Sequence, residues 1–263
     1  MARASGKTLR SRPDSGILQS SKHIHEAAVS NVYRKLKFDG LKDRDSGRLV
    51  EGAGFEECEF EGCVLSITEH PELRTVVRNV VLRDCSVRGC SVYAAILDNV
   101  VVENLKCYNL LMCCGAAVRH VTLRGIIGQV MFSPLHFPSR FRCPIVPALL
   151  EHNRLFYRSV DWAIDVREAQ VRDLGLAGIP GRLIRRDPAN SIHLSVKSVA
   201  NGDWRAITAA TPCGVAIERM FDYSLDDIVV LAPCKGRYRQ SELDAYAKLR
   251  DAGMAEPDSR HEC

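Results

Sequence analysis

Cys85-Ser-Val-Arg-Gly-Cys-Ser-Val-Tyr-Ala-Ala-Ile-Leu97 is the stretch that decides the fold of this chain. A small or thiol side chain is followed two residues later by a larger apolar one, and the pair recurs every five residues. The same rhythm continues on both sides of the stretch. Ten such pairs are present: Ala53/Phe55, Cys58/Phe60, Cys63/Leu65, Val80/Leu82, Cys85/Val87, Cys90/Val92, Ala95/Leu97, Val100/Val102, Leu105/Cys107 and Leu110/Met112.

A period of five fits neither the 3.6-residue repeat of a helix nor the two-residue repeat of a strand. Each group of five is therefore expected to form one short side of a coil that changes direction at its end. This architecture is a solenoid, in which each turn of the chain packs on the previous one. Because the inward positions are apolar, the repeat describes the filling of a core and indicates no chemistry.

The pattern resembles the pentapeptide-repeat family, and three stretches carry the resemblance. They are Phe55-Glu-Glu-Cys-Glu-Phe-Glu-Gly-Cys-Val-Leu65, Cys85-Ser-Val-Arg-Gly-Cys-Ser-Val92 and Ala169-Gln-Val-Arg-Asp-Leu-Gly-Leu-Ala-Gly178. The resemblance implies a right-handed four-sided parallel β-helix with four groups of five residues in each coil. It implies no catalytic residue. The chain is expected to be an irregular member of the family.

The interruption between the first three pairs and the rest has a definite length. Leu65 and Leu82 lie 17 positions apart where one full side between them would give 10, so seven residues are inserted. With this insertion Cys58 is expected beneath Cys85, and Cys63 beneath Cys90. After Met112 the rhythm moves by one residue. It then predicts the inward pairs Val121/Leu123, Ile126/Gly128, Ile164/Val166, Ala169/Val171 and Leu174/Leu176.

The start and end of the rhythm predict four regions. Residues 1–20 are expected to be a disordered tail, residues 21–50 a cap, residues 51–181 the β-helix and residues 182–263 a small α+β module. The cap would contain a helix over Ser21–Lys37 with Ile24, Ala28, Val32 and Leu36 on one face. Several prolines predict an excursion from the β-helix at about 129–160, which ends in a short helix over 148–157.

The last region changes its pattern after Arg182. Alternating and apolar runs predict strands, and amphipathic runs predict helices. The expected elements are strands over Arg182–Arg186, Ser191–Lys197 and Asp227–Ala232, and helices over Pro212–Tyr223 and Ser241–Ala252. Such a module is small enough to act as a cap on the solenoid.

Composition restricts the cellular setting. The 263 residues include 11 cysteines, several at inward repeat positions where a thiol acts as a small hydrophobic group. Because no signal peptide is evident, we expect reduced thiols and a cytoplasmic protein. No apolar run is long enough for a membrane helix. The net charge is +4, with five glutamates within Glu51–Glu61. The basic opening at Met1–Arg12 is interpreted as a solvated tail, with a transit peptide and a nucleic-acid arm as the alternatives.

Few residues indicate chemistry. Cys-x-x-Cys spacing is absent, and neither a metal, a cofactor nor a catalytic group is expected. The most site-like segment is a basic loop after the predicted strand Asp227–Ala232. A loop of this kind binds an anion or is simply solvated. The predicted binding residues are Lys235, Arg237 and Arg239, joined by Arg185 and Arg186.

Three functions follow from these observations. The first is a non-enzymatic interaction or scaffold protein that presents a rigid β-helix to a protein partner. The second is a DNA-mimicking topoisomerase modulator, which the resemblance suggests because some pentapeptide-repeat proteins protect gyrase with an acidic, duplex-like face. The third is a ligand-binding or enzymatic role for the module after Arg182. The mild positive charge favours the first, so nucleic acid and membrane are not expected as partners.

Overall fold

A computed structural model describes residues 30–134, 146–200, 202–209 and 211–256. The predicted disordered tail at residues 1–20 lies outside this range. Seventeen strands in residues 31–185 form a parallel sheet with solenoid-like curling. They are β1 Asn31–Arg34, β2 Lys37–Asp39, β3 Lys42–Arg44, β4 Leu49–Glu51, β5 Ala53–Glu56, β6 Glu59–Glu61, β7 Val64–Ile67, β8 Val76–Arg83, β9 Ser86–Arg88, β10 Ser91–Tyr93, β11 Ile96–Cys107, β12 Leu111–Cys114, β13 Ala117–Arg119, β14 Val121–Ser133, β15 Ile164–Asp165, β16 Ala169–Leu176 and β17 Ile184–Arg185.

Each strand pairs with a strand about one turn of the chain later. The register joins Asn31 to Ala53, Gly54 to Val81, Val80 to Val100 and Val101 to Thr122. These pairings show that successive turns of the chain stack with their strands parallel. The protein is therefore mainly β, as predicted.

The insertion before β8 has the predicted effect on the cysteines. Glu59 pairs with Ser86, and Val64 pairs with Ser91. The residues directly before these pairs are the cysteines, so Cys58 stacks with Cys85 one turn later, and Cys63 stacks with Cys90. The predicted stacking is confirmed.

The bends between short strands share one backbone conformation. Positive φ angles recur every five residues over long stretches, and many of these residues are not glycine. Asparagine and aspartate tolerate this left-handed region better than most side chains, and they also bond to one another between turns. Asn99 donates to Asn79 at 2.8 Å and Asn104 donates to Asp84 at 3.0 Å. The residues are Lys35, Gly40, Asp45, Gly52, Glu57, Gly62, Asn79, Asp84, Gly89, Ala94, Asn99, Asn104, Gly115, His120 and Gly125.

Most of the predicted inward residues line the core. Cys58, Val80, Cys85, Val87, Cys90, Ala95, Val100 and Leu105 are buried, as are Val121, Leu123, Ile164, Val166, Val171, Leu174 and Leu176. Phe55, Phe60, Leu65, Leu82, Val92, Leu97 and Val102 are partly buried and pack against them. The predicted phase is therefore confirmed over most of its length.

Two predicted pairs are wrong because the chain gains a residue at two bends. Lys106 pairs with Ser86, 20 positions earlier, whereas Met112 pairs with Ser91, 21 positions earlier. One residue is therefore added between Lys106 and Met112. Leu110 is exposed as a result, and Leu111 takes its place against the core. A second residue is gained near Gly125, so Ile127 is buried while Ile126 is 66% exposed.

The predicted N-terminal cap is also wrong where the structure describes it. Residues expected in a helix up to Lys37 form β1 and the start of β2, and β3 and β4 complete a turn that pairs with β5–β8. In the described part of the chain the sheet is thus already present at Asn31, well before Ala53. Val32 and Leu36, expected on one buried helix face, are each 44% exposed. Residues 21–29 of that helix lie outside the described chain.

A helix and a second small region follow the long strand β14. Helix α1, Pro147–Phe156, matches the short helix expected near 148–157, although β14 runs to Ser133 and delays the excursion. Strand β17 pairs in parallel with β15, so the parallel sheet extends past the predicted boundary at 181. Short 3-10 turns are formed by Pro71–Leu73, Tyr157–Ser159 and Gly181–Leu183.

The C-terminal module has its own core and joins the sheet. Its elements are β18 Ser191–Ser195, α2 Val196–Val199, α3 Trp204–Thr208, α4 Pro212–Asp222, β19 Asp227–Leu231 and α5 Arg239–Asp251. Strands β18 and β19 are antiparallel, and β19 also pairs with β16 at Gly175 and Val230. The predicted helices over 212–223 and 241–252 and the strand over 227–232 are confirmed. Predicted strand 191–197 ends at Ser195, whose side chain caps α2.

Candidate functional site

The first turn of the sheet exposes apolar side chains that its register directs toward the core. Tyr33, Phe38 and Val50 pair with Phe55, Phe60 and Val77 of the next turn. Leu36 and Leu41 lie directly before Lys37 and Lys42, at the positions that Cys58 and Cys63 occupy in the next turn. Tyr33, Leu36 and Leu41 are 41%, 44% and 55% exposed. We refer to Tyr33, Leu36, Phe38, Leu41 and Val50 as the N-terminal end.

Aromatic rings hold this end in place. Tyr33 stacks on Phe55 with ring centroids 5.3 Å apart, and Phe38 stacks on Phe60 at 5.0 Å. The two stacks also meet edge to face, with Phe38 and Phe55 5.8 Å apart. Within the described part of the chain, β1–β4 pair only with β5–β8, so one edge of each strand has no strand partner. The N-terminal end therefore combines ordered apolar groups with an open strand edge.

A ladder of alternating charges runs along the outside of the sheet. Arg34, Glu56, Arg83, Glu103 and Arg124 occupy equivalent positions in successive turns. The ion pairs measure 2.6 Å for Arg34–Glu56, 4.0 Å for Arg83–Glu56, 3.5 Å for Arg83–Glu103 and 2.8 Å for Arg124–Glu103. Each acid thus lies between two bases.

The glutamates of Glu51–Glu61 are not an acidic face. Glu57 pairs with Lys35 at 3.6 Å, and Glu61 pairs with Lys37 at 2.6 Å and with Arg88 at 4.0 Å. The bond from Lys37 holds the pKa of Glu61 below its usual value. Bases from the neighbouring turns therefore compensate much of the acidic cluster that stands out in the sequence.

The cysteines of the sheet act as small buried groups with weak donors. Cys58 donates to the carbonyl of Tyr33 at 3.3 Å, Cys85 to that of Phe55 at 3.3 Å and Cys90 to that of Phe60 at 3.3 Å. Burial raises the pKa of Cys85 and Cys107 to about 11. These thiols remain protonated near neutral pH and are poor nucleophiles.

Four of the five predicted basic residues contact different partners, and the fifth, Lys235, is exposed. Arg239 donates to the carbonyl of Pro233 at 2.8 Å and to Asn190 at 2.9 Å, which fixes the loop before α5. Arg237 lies 4.5 Å from the ring centroid of Tyr238, and Lys235 is exposed. Arg185 stacks on Trp162 at 4.3 Å, and Arg186 pairs with Glu256 at 3.2 Å. These contacts do not bring the five residues together as one anion site.

A histidine between two acids joins the module to the end of the sheet. His193 Nε2 lies 3.0 Å from Asp227, and its Nδ1 lies 2.7 Å from Glu256. Asp227 also accepts from the backbone N–H of Gly181 at 3.1 Å. A Cβ at Gly181 would lie 2.2 Å from His193, so only glycine fits. The hydrogen bond to Asp227 raises the pKa of His193, since both acids favour its charged form.

A buried arginine fastens helix α1 to the sheet. Arg74 is 2% exposed and donates to the carbonyls of Ala94, Ala95 and Gly115. It also donates to His152 at 2.9 Å and to Asn153 at 2.8 Å. No carboxylate is among these hydrogen-bond partners, and burial lowers the pKa of Arg74 to about 10. Sequence reasoning gave no signal for this residue, because its partners lie 20 to 79 positions away.

A cavity of about 540 Å³ lies where the sheet, helix α1 and the module meet. Gly115 and Ala116 belong to its wall on the sheet side. Asn153, Arg154 and Arg158 line it from α1 and the turn that follows. The segments Gly178–Pro180 and Ser224–Asp227, together with Arg182, complete the lining. The cavity joins segments more than 100 residues apart, so no local pattern predicts it.

Other kinds of site are not evident in the described residues. Across residues 30–256, outside the undescribed positions, no three histidine, cysteine, aspartate or glutamate side chains are grouped to hold a metal ion. No helix in that same part of the chain has the length and apolar character needed to cross a bilayer. No family model, curated protein or solved structure matches the chain.

Proposed function

We propose that this chain is a non-enzymatic interaction protein whose N-terminal end binds a protein partner. In this proposal the parallel sheet is a right-handed four-sided β-helix of the pentapeptide-repeat type. Two features support the four sides: bends with positive φ recur every five residues, and the pairings Val80–Val100 and Ile164–Ile184 are one 20-residue turn apart. The proposal places the protein in the cytoplasm, where thiols are kept reduced.

The exposed N-terminal end carries the proposal. Its inward-directed residues Tyr33, Leu36 and Leu41 are 41% to 55% exposed, and all lie within one turn of about twenty residues. Contiguous apolar surface of this kind marks interaction sites, and an open strand edge pairs readily with an extended segment of another chain. Backbone pairing gives such a complex affinity, while side chains fitting against Leu36 and Leu41 give it specificity.

Charge indicates the kind of segment that fits. Arg34, Lys35 and Lys37 already pair with acids of the second turn. Lys42 and Arg44 of β3 are exposed, and neither has an ion-pair partner among the described residues. Two copies meeting end to end would bring these like charges together. We therefore propose a different protein as the partner, with an extended apolar segment followed by acidic residues.

The charge ladder disfavours the DNA-mimicking alternative. Competition with duplex DNA requires a long row of uncompensated negative charges. Here Glu56 and Glu103 each lie beside two arginines. A gyrase supercoiling assay, with and without a fluoroquinolone, is expected to show neither inhibition nor rescue at low micromolar protein. Dose-dependent inhibition would make the exposed acids Glu57 and Glu59 the residues to test next.

The partner can be located by photo-crosslinking from within the full-length chain. A p-benzoylphenylalanine at Leu41 is expected to crosslink to a second protein in the native cells, and a Leu36→Lys change is expected to abolish that product. The matched control places the same amino acid at Ile126, which is also apolar and exposed but lies elsewhere on the sheet.

Mass spectrometry of the crosslinked peptides decides between the possible occupants. An apolar segment with acidic flanks, from another protein, supports the proposal. Crosslinks to residues 1–29 of the same chain, to a second copy, or equally from Ile126 overturn it.

A further inference from the structure

The cavity at the junction has the size and lining of a small-molecule site. Its volume of about 540 Å³ falls within the range of roughly 300 to 1,000 Å³ that is typical of ligand pockets. Leu150, Ile179 and Leu225 supply apolar wall together with Ala116, Pro134 and Pro180, and arginine, asparagine, serine and aspartate side chains supply the polar part. Three separate parts of the chain form it, so the cavity exists only in the folded protein.

Two arginines at this cavity are available to a ligand. Arg158 and Arg182 are exposed, and neither donates a hydrogen bond to any residue that the structure describes. By contrast, Arg154 forms a two-bond ion pair with Glu151, at 2.5 and 2.6 Å. A guanidinium group offers paired donors that match a carboxylate or phosphate.

The wall behind the cavity carries a further positive charge. Gly115 and Asn153 line the cavity, and both accept hydrogen bonds from the buried guanidinium of Arg74. Because that cation has no carboxylate among its hydrogen-bond partners, its field is not cancelled locally. A buried charge in a region of low dielectric acts over a longer distance than an exposed one.

Two acids lie on the module side of the cavity. Asp227 is already bonded to Gly181 and His193, at 3.0 to 3.1 Å. Asp226 is exposed, and its carboxylate forms no ion pair with the described residues. Asp226 is thus the one lining carboxylate left to oppose Arg158, Arg182 and the buried Arg74.

From these contacts we infer that the junction cavity binds a small organic anion. Its carboxylate or phosphate group is held by Arg158 and Arg182, and its apolar body packs against Leu150 and Leu225. This site is separate from the N-terminal end, so its occupancy does not depend on the proposed protein partner. Any ligand of this site needs a carboxylate or phosphate group and must be small enough to fit the cavity.

Titrations with benzoate and phenyl phosphate test the inference, with benzamide and phenol as neutral counterparts. Binding is followed by two-dimensional amide NMR of the full-length chain. At least one anion is expected to bind saturably with a dissociation constant below about 1 mM, and to shift Gly115 and Gly178. Benzoate and phenyl phosphate separate carboxylate from phosphate recognition.

Three variants give the sign of the electrostatic effect. Arg158→Gln combined with Arg182→Gln is expected to weaken anion binding by about tenfold or more. Asp226→Asn is expected to strengthen it, because a competing negative charge is removed. The control Arg172→Gln removes an exposed arginine of β16 that does not line the cavity, and is expected to have no effect.

Thermal melts of each variant confirm that the fold is kept. Binding of neither anion more tightly than its neutral counterpart, equal affinity in the Arg158/Arg182 double variant and the control, or no saturable binding of either anion would each overturn the inference. Weaker binding in Asp226→Asn would also contradict it.

Discussion

At the C-terminal end of the parallel sheet, strand β19 pairs with β16 and a module with its own core packs alongside, whereas the first turn at the other end exposes its inward side chains. Leu194 of the module is fully buried, and Leu41 of the first turn is 55% exposed. A repeating sheet buries each turn with the next one, so its last turn needs cover of a different kind. The comparison shows that the C-terminal end of the sheet is covered by a module whose sequence does not follow the five-residue repeat.

The two ends are also expected to contribute differently to the stability of the fold and to the binding of partners. Residues that cover the C-terminal end contribute to folding and are withdrawn from binding. Residues of the N-terminal end contribute little burial, and no other described strand pairs along their free edge. Changes at the two ends are therefore expected to affect different measurements.

The largest effect is expected from truncating the core of the module. Leu194→Ala should lower the free energy of unfolding by about 2 to 5 kcal/mol, because it leaves a cavity in a packed region. Leu36→Ala at the N-terminal end should cost less than about 1 kcal/mol, since its side chain is already partly hydrated. Urea unfolding followed by circular dichroism measures both. Equal losses would show that the two ends are covered equally well.

The link between α1 and the middle turns is expected to come next. Arg74→Ala removes the group that donates hydrogen bonds to three backbone carbonyls and to Asn153 and His152. It should lower the free energy of unfolding by about 3 kcal/mol. Arg78→Ala is a close control, because the Arg78 side chain is 42% exposed and its partner Asp98 keeps a two-bond ion pair with Arg119. It should cost about 1 kcal/mol or less. If both changes cost the same, the buried guanidinium does not hold α1.

A smaller effect is expected in the turns between the two ends. Cys85→Ala should cost about 1 kcal/mol, because a thiol is only slightly larger than a methyl group. Leu82→Ala, in the preceding side of the same turn, should cost about 2 to 5 kcal/mol. The same urea titrations compare the two. A cysteine loss as large as the leucine loss would mean that the thiol hydrogen bonds, rather than volume, stabilise the stack.

The smallest effect concerns the pH dependence of the cover at the C-terminal end. The pKa of His193 is raised, so its stabilising contribution is complete below the ordinary histidine value of about 6.5 and is lost as pH rises through the folded pKa. Glu256 is 57% exposed, and water screens its contribution to the raised pKa of His193.

The difference in unfolding free energy between the parent chain and His193→Gln is the quantity to measure. It should shrink from pH 6 to pH 8. The difference is used because burial lowers the pKa of His152, which titrates with the opposite sign in both proteins. A difference that stays constant across this range would show that protonation of His193 does not stabilise the contact between the module and the sheet.

The sequence predicts the turns whose inward positions alternate small and large residues. From Cys58 to Leu97 each pair has this form, and the structure buries these residues fully or partly. The first turn escapes the pattern because Leu36 and Leu41 replace the small residue and Asp43 replaces a large one. The extra residues near Leu110 and Gly125 were missed because either of two adjacent apolar residues fits a period of five.

The candidate sites could not be predicted in the same way. Arg74, Arg158 and Arg182 come from three separate segments, and only the fold brings their surroundings together. A basic loop is visible locally, but Arg239 uses its donors to hold Pro233 and Asn190. Charge in a sequence shows that a group is present, whereas its availability depends on contacts from distant residues.

The alternating ladder also limits how this protein can change in length during evolution. Losing a single turn would place Glu56 beside Glu103, or Arg83 beside Arg124, and duplicating one would place a ladder residue beside its own copy. Like charges facing each other across strands are destabilising. Losing two adjacent turns restores the pairing of an acid with a base. Relatives of this chain are therefore expected to differ by even numbers of turns, or to carry charge reversals where an odd number was gained or lost.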